Sequence, residues 1–113
     1  MNRISTHVLD LGLGKPAAAV SVRLEKQDSV AGWRLVSSSQ TDQDGRCAQL
    51  LNDARLTAGI YRLHFDTTAY FAARKIETLY PFVEVAFQVR EADSHFHIPL
   101  LLSANGYTTY RGA

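Results

Sequence analysis

From Ala19 to Lys26 the chain alternates, with Val20, Val22 and Leu24 apolar and Ser21, Arg23 and Glu25 polar. That period of two belongs to a strand with one face in a core. The same period recurs in Trp33 to Val36, in Tyr61, Leu63 and Phe65, and in Val83, Val85, Phe87 and Val89. ISTHVLD, FHIPLLL and YTTY complete a set of about seven strands. Turn signals fall between them: Gly12, Gly14 and Pro16; Asp44-Gly45; Gly59; Asn105-Gly106. Thr67 to Lys75 alone reads as a helix, opened by a threonine cap and short enough to be an ornament on the sheets. Short strands so punctuated predict an all-β fold, a two-sheet sandwich with one short helix.

Composition narrows the picture. A chain of 113 residues, 46% of them hydrophobic, suits a single domain over 1–113 with one core. The single cysteine, Cys47, rules out an intrachain disulfide and makes a reducing, cytoplasmic setting the simplest expectation. MNRISTHVLD has no apolar core of an export signal, and no apolar stretch approaches the roughly 20 residues needed to span a bilayer. No membrane is expected as a partner. Twelve basic residues against eleven acidic give a net charge of +1. Neither sign gathers into a run, so nucleic acid is not an expected partner either.

Candidate chemistry gathers near the C-terminal end of the sequence. An Asn105-Gly106 turn of type I′ would pair Leu101 with Tyr110 and Ile98 with Ala113, bringing residue 113 to within a residue of His97. His97, Leu101 and Tyr110 would then share one face, with Phe96, Ile98 and Leu100 on the other. A bulge at Pro99, which has no N–H for a ladder, would shift that register by one. His95 and His97 stand on one side of a strand roughly 7 Å apart, which is metal-ligand spacing if a third donor exists and a solvent-facing pair if not. His7, in a strand between Thr6 and Val8, reads more readily as a hydrogen-bonded structural histidine than as a base. Arg46, after the Asp44-Gly45 turn, reads as a solvated loop charge, and Cys47 beside it as an accident of the strand.

Two segments carry more than strand patterning. HVLDLGLGKPA, His7 to Ala17, and FHIPLLLSANGYTTYRGA, Phe96 to Ala113, resemble the two signature stretches of the transthyretin-like family. TDQDGR, GIYRLHFDT and AYFAARK follow in the expected order between them, so the resemblance covers nearly the whole chain. It implies a transthyretin-like (prealbumin-like) sandwich. That family holds both hormone carriers and 5-hydroxyisourate hydrolases, and fold alone does not separate them. His7, Arg46 and His97 stand where the hydrolases have histidine, arginine and histidine, and Tyr110, Arg111 and Gly112 match their tail. Ala113 departs from it, standing where they have serine.

The resemblance implies hydrolysis of 5-hydroxyisourate to 2-oxo-4-hydroxy-4-carboxy-5-ureidoimidazoline in urate degradation, with no cofactor and no metal. Water would attack a ring amide. His7 and His97 would orient and deprotonate it, Arg46 would steady the oxyanion, and Tyr110, Arg111, Gly112 and Ala113 would bind substrate. The resemblance further implies a homotetramer, a dimer of dimers, with sites in a channel between subunits. The competing reading is a small-ligand carrier or an inactive relative, for which Ala113 speaks.

Overall fold

The computed structural model describes residues 2–30 and 32–113. The strands in chain order are β1 (Arg3–Asp10), β2 (Lys15–Pro16), β3 (Ser21–Asp28), β4 (Gly32–Gln40) and β5 (Arg46–Cys47), then β6 (Gly59–Phe65), β7 (Val83–Val89), β8 (His95–Ser103) and β9 (Gly106–Thr109). A single helix among the described residues, α1 (Thr67–Ala72), separates β6 from β7. One sheet runs β2-β1-β8-β9, with β5 also on β1, and the other runs β4-β3-β6-β7. The sandwich read from the alternation is therefore present. β2 and β5, each two residues long, are too short to show a period and were legible only as turns.

Inward residues of both sheets close on one core. Ile4 and Val8 of β1, and Phe96, Ile98, Leu100 and Leu102 of β8, meet Val22, Leu24, Leu63 and Phe65 from the other sheet, none more than 5% exposed. Each such side chain contributes about 1.5–3 kcal/mol on burial, so the alternation that marks these strands also drives their pairing.

Three local expectations are corrected. The helix is capped by Asp66, whose side chain accepts from Ala69 N–H; Thr67 is already inside it and donates to Tyr80 O. It ends at Ala72, well before Lys75, which takes a positive φ of 60°. β4 is longer than Trp33 to Val36, because a bulge between Leu24/Glu25 resets its register and hides its period. The hairpin near the end of the chain turns on Ala104-Asn105 rather than Asn105-Gly106: Ser103 pairs with Gly106 and Leu101 with Thr108. Neither Asn105 nor Gly106 takes the positive φ that a type I′ turn requires. Instead the Ala104 carbonyl is held by Leu79 N–H (2.9 Å) and the Thr78 hydroxyl (2.7 Å). The shift is two residues, so faces are preserved, and no bulge forms at Pro99, which pairs in step with His7.

Two devices fix β1, on which the site depends. The buried Asp10 carboxylate accepts from the Tyr70 hydroxyl at 2.7 Å and from Leu13 N–H at 3.2 Å, tying the helix to the strand end. Burial and this contact push the Tyr70 phenol up to about 12. At the other side, Gly45 has φ +75°, and a Cβ there would lie 2.4 Å from Val8 O. Gly45→Ala should therefore cost roughly 2 kcal/mol or more and lower the melting temperature by about 10 °C, read by thermal denaturation.

Candidate active site

The parallel pairing of β1 with β8 sets Ser5 beside His97 and His7 beside Pro99, while β5 sets Arg46 beside His7. Paired residues point to the same side of a sheet, so Arg3, Ser5, His7, Arg46, His95 and His97 all share the outer face. An open pocket of about 230 Å³ lies there, lined among others by Arg3, Ser5, Arg46, His95, His97 and Ala113.

Arg46 owes its place to the preceding turn. Asp42 Oδ1 accepts from Asp44 N–H and Arg46 N–H, both at 2.9 Å, and Val8 N–H bonds Gly45 O at 2.7 Å. His97 is half-buried, its Nδ1 2.8 Å from Ser5 Oγ. Gly112 N–H donates to His97 O at 2.7 Å, and a Cβ on Gly112 would come 2.6 Å from His97 Cδ2, so only glycine lets the tail lie against the imidazole.

Charge on the two outer faces differs. On the second sheet Arg62 lies between Glu25 (2.8 Å) and Glu84 (3.6 Å), and His64 reaches Glu84 at 2.9 Å. Among the described residues no acidic side chain lines the first sheet's pocket. Burial first, then Arg46, His7 and His95, hold the His97 imidazole below its ordinary value of 6.5. An imidazole kept neutral beside a guanidinium can accept a proton while the cation faces an oxyanion or a polarised carbonyl.

Of the residues singled out in the sequence, the structure brings Arg46, His97 and Ala113 to one pocket, with Gly112 against His97 and His7 next in the sheet. It does not bring Tyr110 or Arg111 there. Ladder pairing ends at Thr109, and Arg111 packs its guanidinium 4.5 Å from the Phe96 ring centre while donating to His95 O at 3.1 Å. Both residues line a separate cleft with Val85, Phe87, Phe96 and Ile98. Ser5 and Arg3 were missed. Their period-two spacing from His7 was visible, but not the parallel neighbour that gives it meaning. His95 joins the pocket, yet among the described residues no group of three or more His, Cys, Asp or Glu is placed to hold a metal.

The sequence profile of the HIUase/Transthyretin family matches residues 4–112. A 5-hydroxyisourate hydrolase of Salmonella typhimurium is 43% identical over 113 residues, spanning 99% of this chain and 82% of the relative. Among solved structures, a Klebsiella pneumoniae 5-hydroxyisourate hydrolase superposes with a TM-score of 0.87 at 34% identity, covering 100% of both chains. A transthyretin from Sparus aurata superposes with 0.91 at 28% identity, covering 99% of this chain and 97% of its own. The fold is thus shared about equally with both, and only site chemistry separates them.

Proposed function

The chain belongs to the HIUase/Transthyretin family, and we propose that it acts as its hydrolase members do, opening the ring of 5-hydroxyisourate in urate degradation. One observation carries this reading: His97, its imidazole held below its ordinary pKa, and Arg46 line one pocket with no acidic side chain among the described residues. Water adds to a ring amide carbonyl carbon as its proton passes to an imidazole. Arg46 steadies the oxyanion, the C–N bond breaks, and the imidazole returns the proton to the leaving nitrogen. The product carries a new carboxylate. His7, Arg46 and His97 are the catalytic residues in this scheme, Gly112 and Ala113 form the substrate wall, and Arg111 holds the tail in place through Phe96 and the His95 carbonyl. A carrier for an apolar aromatic ligand has little use for this cluster of cations.

No helix among the described residues is long and apolar enough to cross a membrane, and the buried, unpaired Cys47 suits a reducing cytoplasm. The working form is a homotetramer, a dimer of dimers, in which the open outer face of the first sheet lines a channel. Exposed sheet edges at β7 and β9 and exposed Leu11, Leu13 and Tyr107 support self-association. Light scattering during size exclusion should give four chains per particle; an active monomer would refute this.

The decisive test follows the ultraviolet decay of 5-hydroxyisourate, generated from urate by urate oxidase, with this protein and with Ala113→Ser. Acceleration by the parent is the expected result, with Ala113→Ser within about tenfold of it, the scale of one added hydrogen bond. No acceleration by either protein sinks the hydrolase reading.

A further inference from the structure

Resting on the hydrolase reading, we propose that Ser5 is a positioning residue whose hydroxyl accepts from His97 Nδ1–H, turning an unprotonated Nε2 to the pocket as the group that takes the proton from water. Ser5 and His97 are direct partners in the parallel ladder, with Oγ and Nδ1 at 2.8 Å. Ser5 is 8% exposed and His97 half-buried, so the bond is partly shielded from bulk water.

Counting protons decides its direction. The Ser5 hydroxyl has one proton and two acceptors in reach, His97 Nδ1 at 2.8 Å and Phe96 O at 3.5 Å. If Ser5 donates to Nδ1, its proton is used there and Nε2 carries the ring hydrogen, leaving the pocket a donor but no base. If Nδ1–H donates to Ser5, the serine proton turns to Phe96 O, both donors are used inside the buried strand pair, and the Nε2 lone pair is free. The second arrangement keeps the 2.8 Å bond and adds a long contact to Phe96 O that the first cannot make.

Of the two site histidines, the ring of His97 is the one held by a side-chain hydrogen bond among the described residues. The groups that face it are Arg3 and His7 of β1, Arg46 of β5, His95 of its own strand and the segment around Gly112. None of these side chains bonds Nδ1, so the tautomer rests on Ser5. In the reaction Nε2 accepts the water proton as the oxygen bonds to the carbonyl carbon, then passes it to the departing ring nitrogen. Throughout, Nδ1–H stays on Ser5 and the ring does not turn.

Long-range proton–nitrogen spectra of the His97 ring in the full chain, with steady-state kinetics, test this on the parent, Ser5→Ala and Ser5→Thr. The parent should show Nδ1 protonated and Nε2 bare at neutral pH. Ser5→Ala should shift the ring toward Nε2–H and lower kcat roughly tenfold, with KM changed less than about twofold, since a partner that sets a histidine's tautomer acts through the ring and not on substrate. Ser5→Thr keeps the hydroxyl and should restore the parent tautomer and most of kcat. A parent ring already protonated at Nε2 overturns the proposal, as does Ser5→Ala with the parent's tautomer and kcat. Should Ser5→Ala not fold, the parent and Ser5→Thr spectra decide alone. A parent that shows bare Nε2 but no hydrolysis would fault the reaction assigned and not the hydrogen bond.

Discussion

Replacing His97 with alanine lowers the turnover of 5-hydroxyisourate on the order of a thousandfold, the scale of a lost general base, while the chain stays folded. The half-buried imidazole sits on the outer face of the sheet, and the neighbouring core side chains Phe96 and Ile98 point the other way. Its removal therefore leaves the core intact, and the melting temperature should move by only a few degrees. The parent's acid limb follows from the same ring. His97 must be neutral to accept a proton, so activity is present above its pKa and lost as pH falls through it. That pKa lies below 6.5, so the parent should hold its rate to mildly acidic pH. A loss of rate already complete at the ordinary value would show that another group limits the reaction.

Arg46→Ala is expected to remove roughly a hundredfold of kcat/KM, the scale of one oxyanion partner, and to move the acid limb as well. After burial, Arg46 is the first cause of the lowered His97 pKa. Without that cation the imidazole is protonated more easily, its pKa rises toward 6.5, and the limb shifts to higher pH. Arg46→Lys separates the two effects: a point charge keeps much of the shift but not the planar fork, so the limb should stay low while the rate falls. A rate loss in Arg46→Ala with no movement of the limb would place the guanidinium away from His97.

Much of the architecture was legible because residues 20–24, 61–65 and 83–89 each alternate over five or more positions and face one core. The site was legible in part, and the reason is topological. Within β8 and β9 the faces follow from parity, so the pairing of His97 with the tail survived an error of two in the turn. That error arose because Thr78 and Leu79, remote in sequence, hold the Ala104 carbonyl and override the local preference of Asn105-Gly106. Arg111 stands outside the pocket for a similar reason, since it answers to Phe96 and the His95 carbonyl after the ladder has ended. Ser5 was invisible because its role depends on a neighbour from the far end of the chain. His7, Arg46 and His97 were found through family resemblance rather than through any local rule.

The parallel ladder of β1 and β8 also sets a timetable. A strand that emerges early from the ribosome must wait for a partner some ninety positions downstream; Ser5 and His97 are separated by 92. The second sheet can pair within itself meanwhile, since β3, β4, β6 and β7 are joined by antiparallel neighbours. Contacts of such long range close slowly. Until β8 arrives, one edge of β1 stands bare, with Ile4 and Val8 lacking the strand beside them, and Ser5 has no His97 to meet. A chain stalled before β8 therefore lacks half of its site and stays open to pairing with another copy of itself.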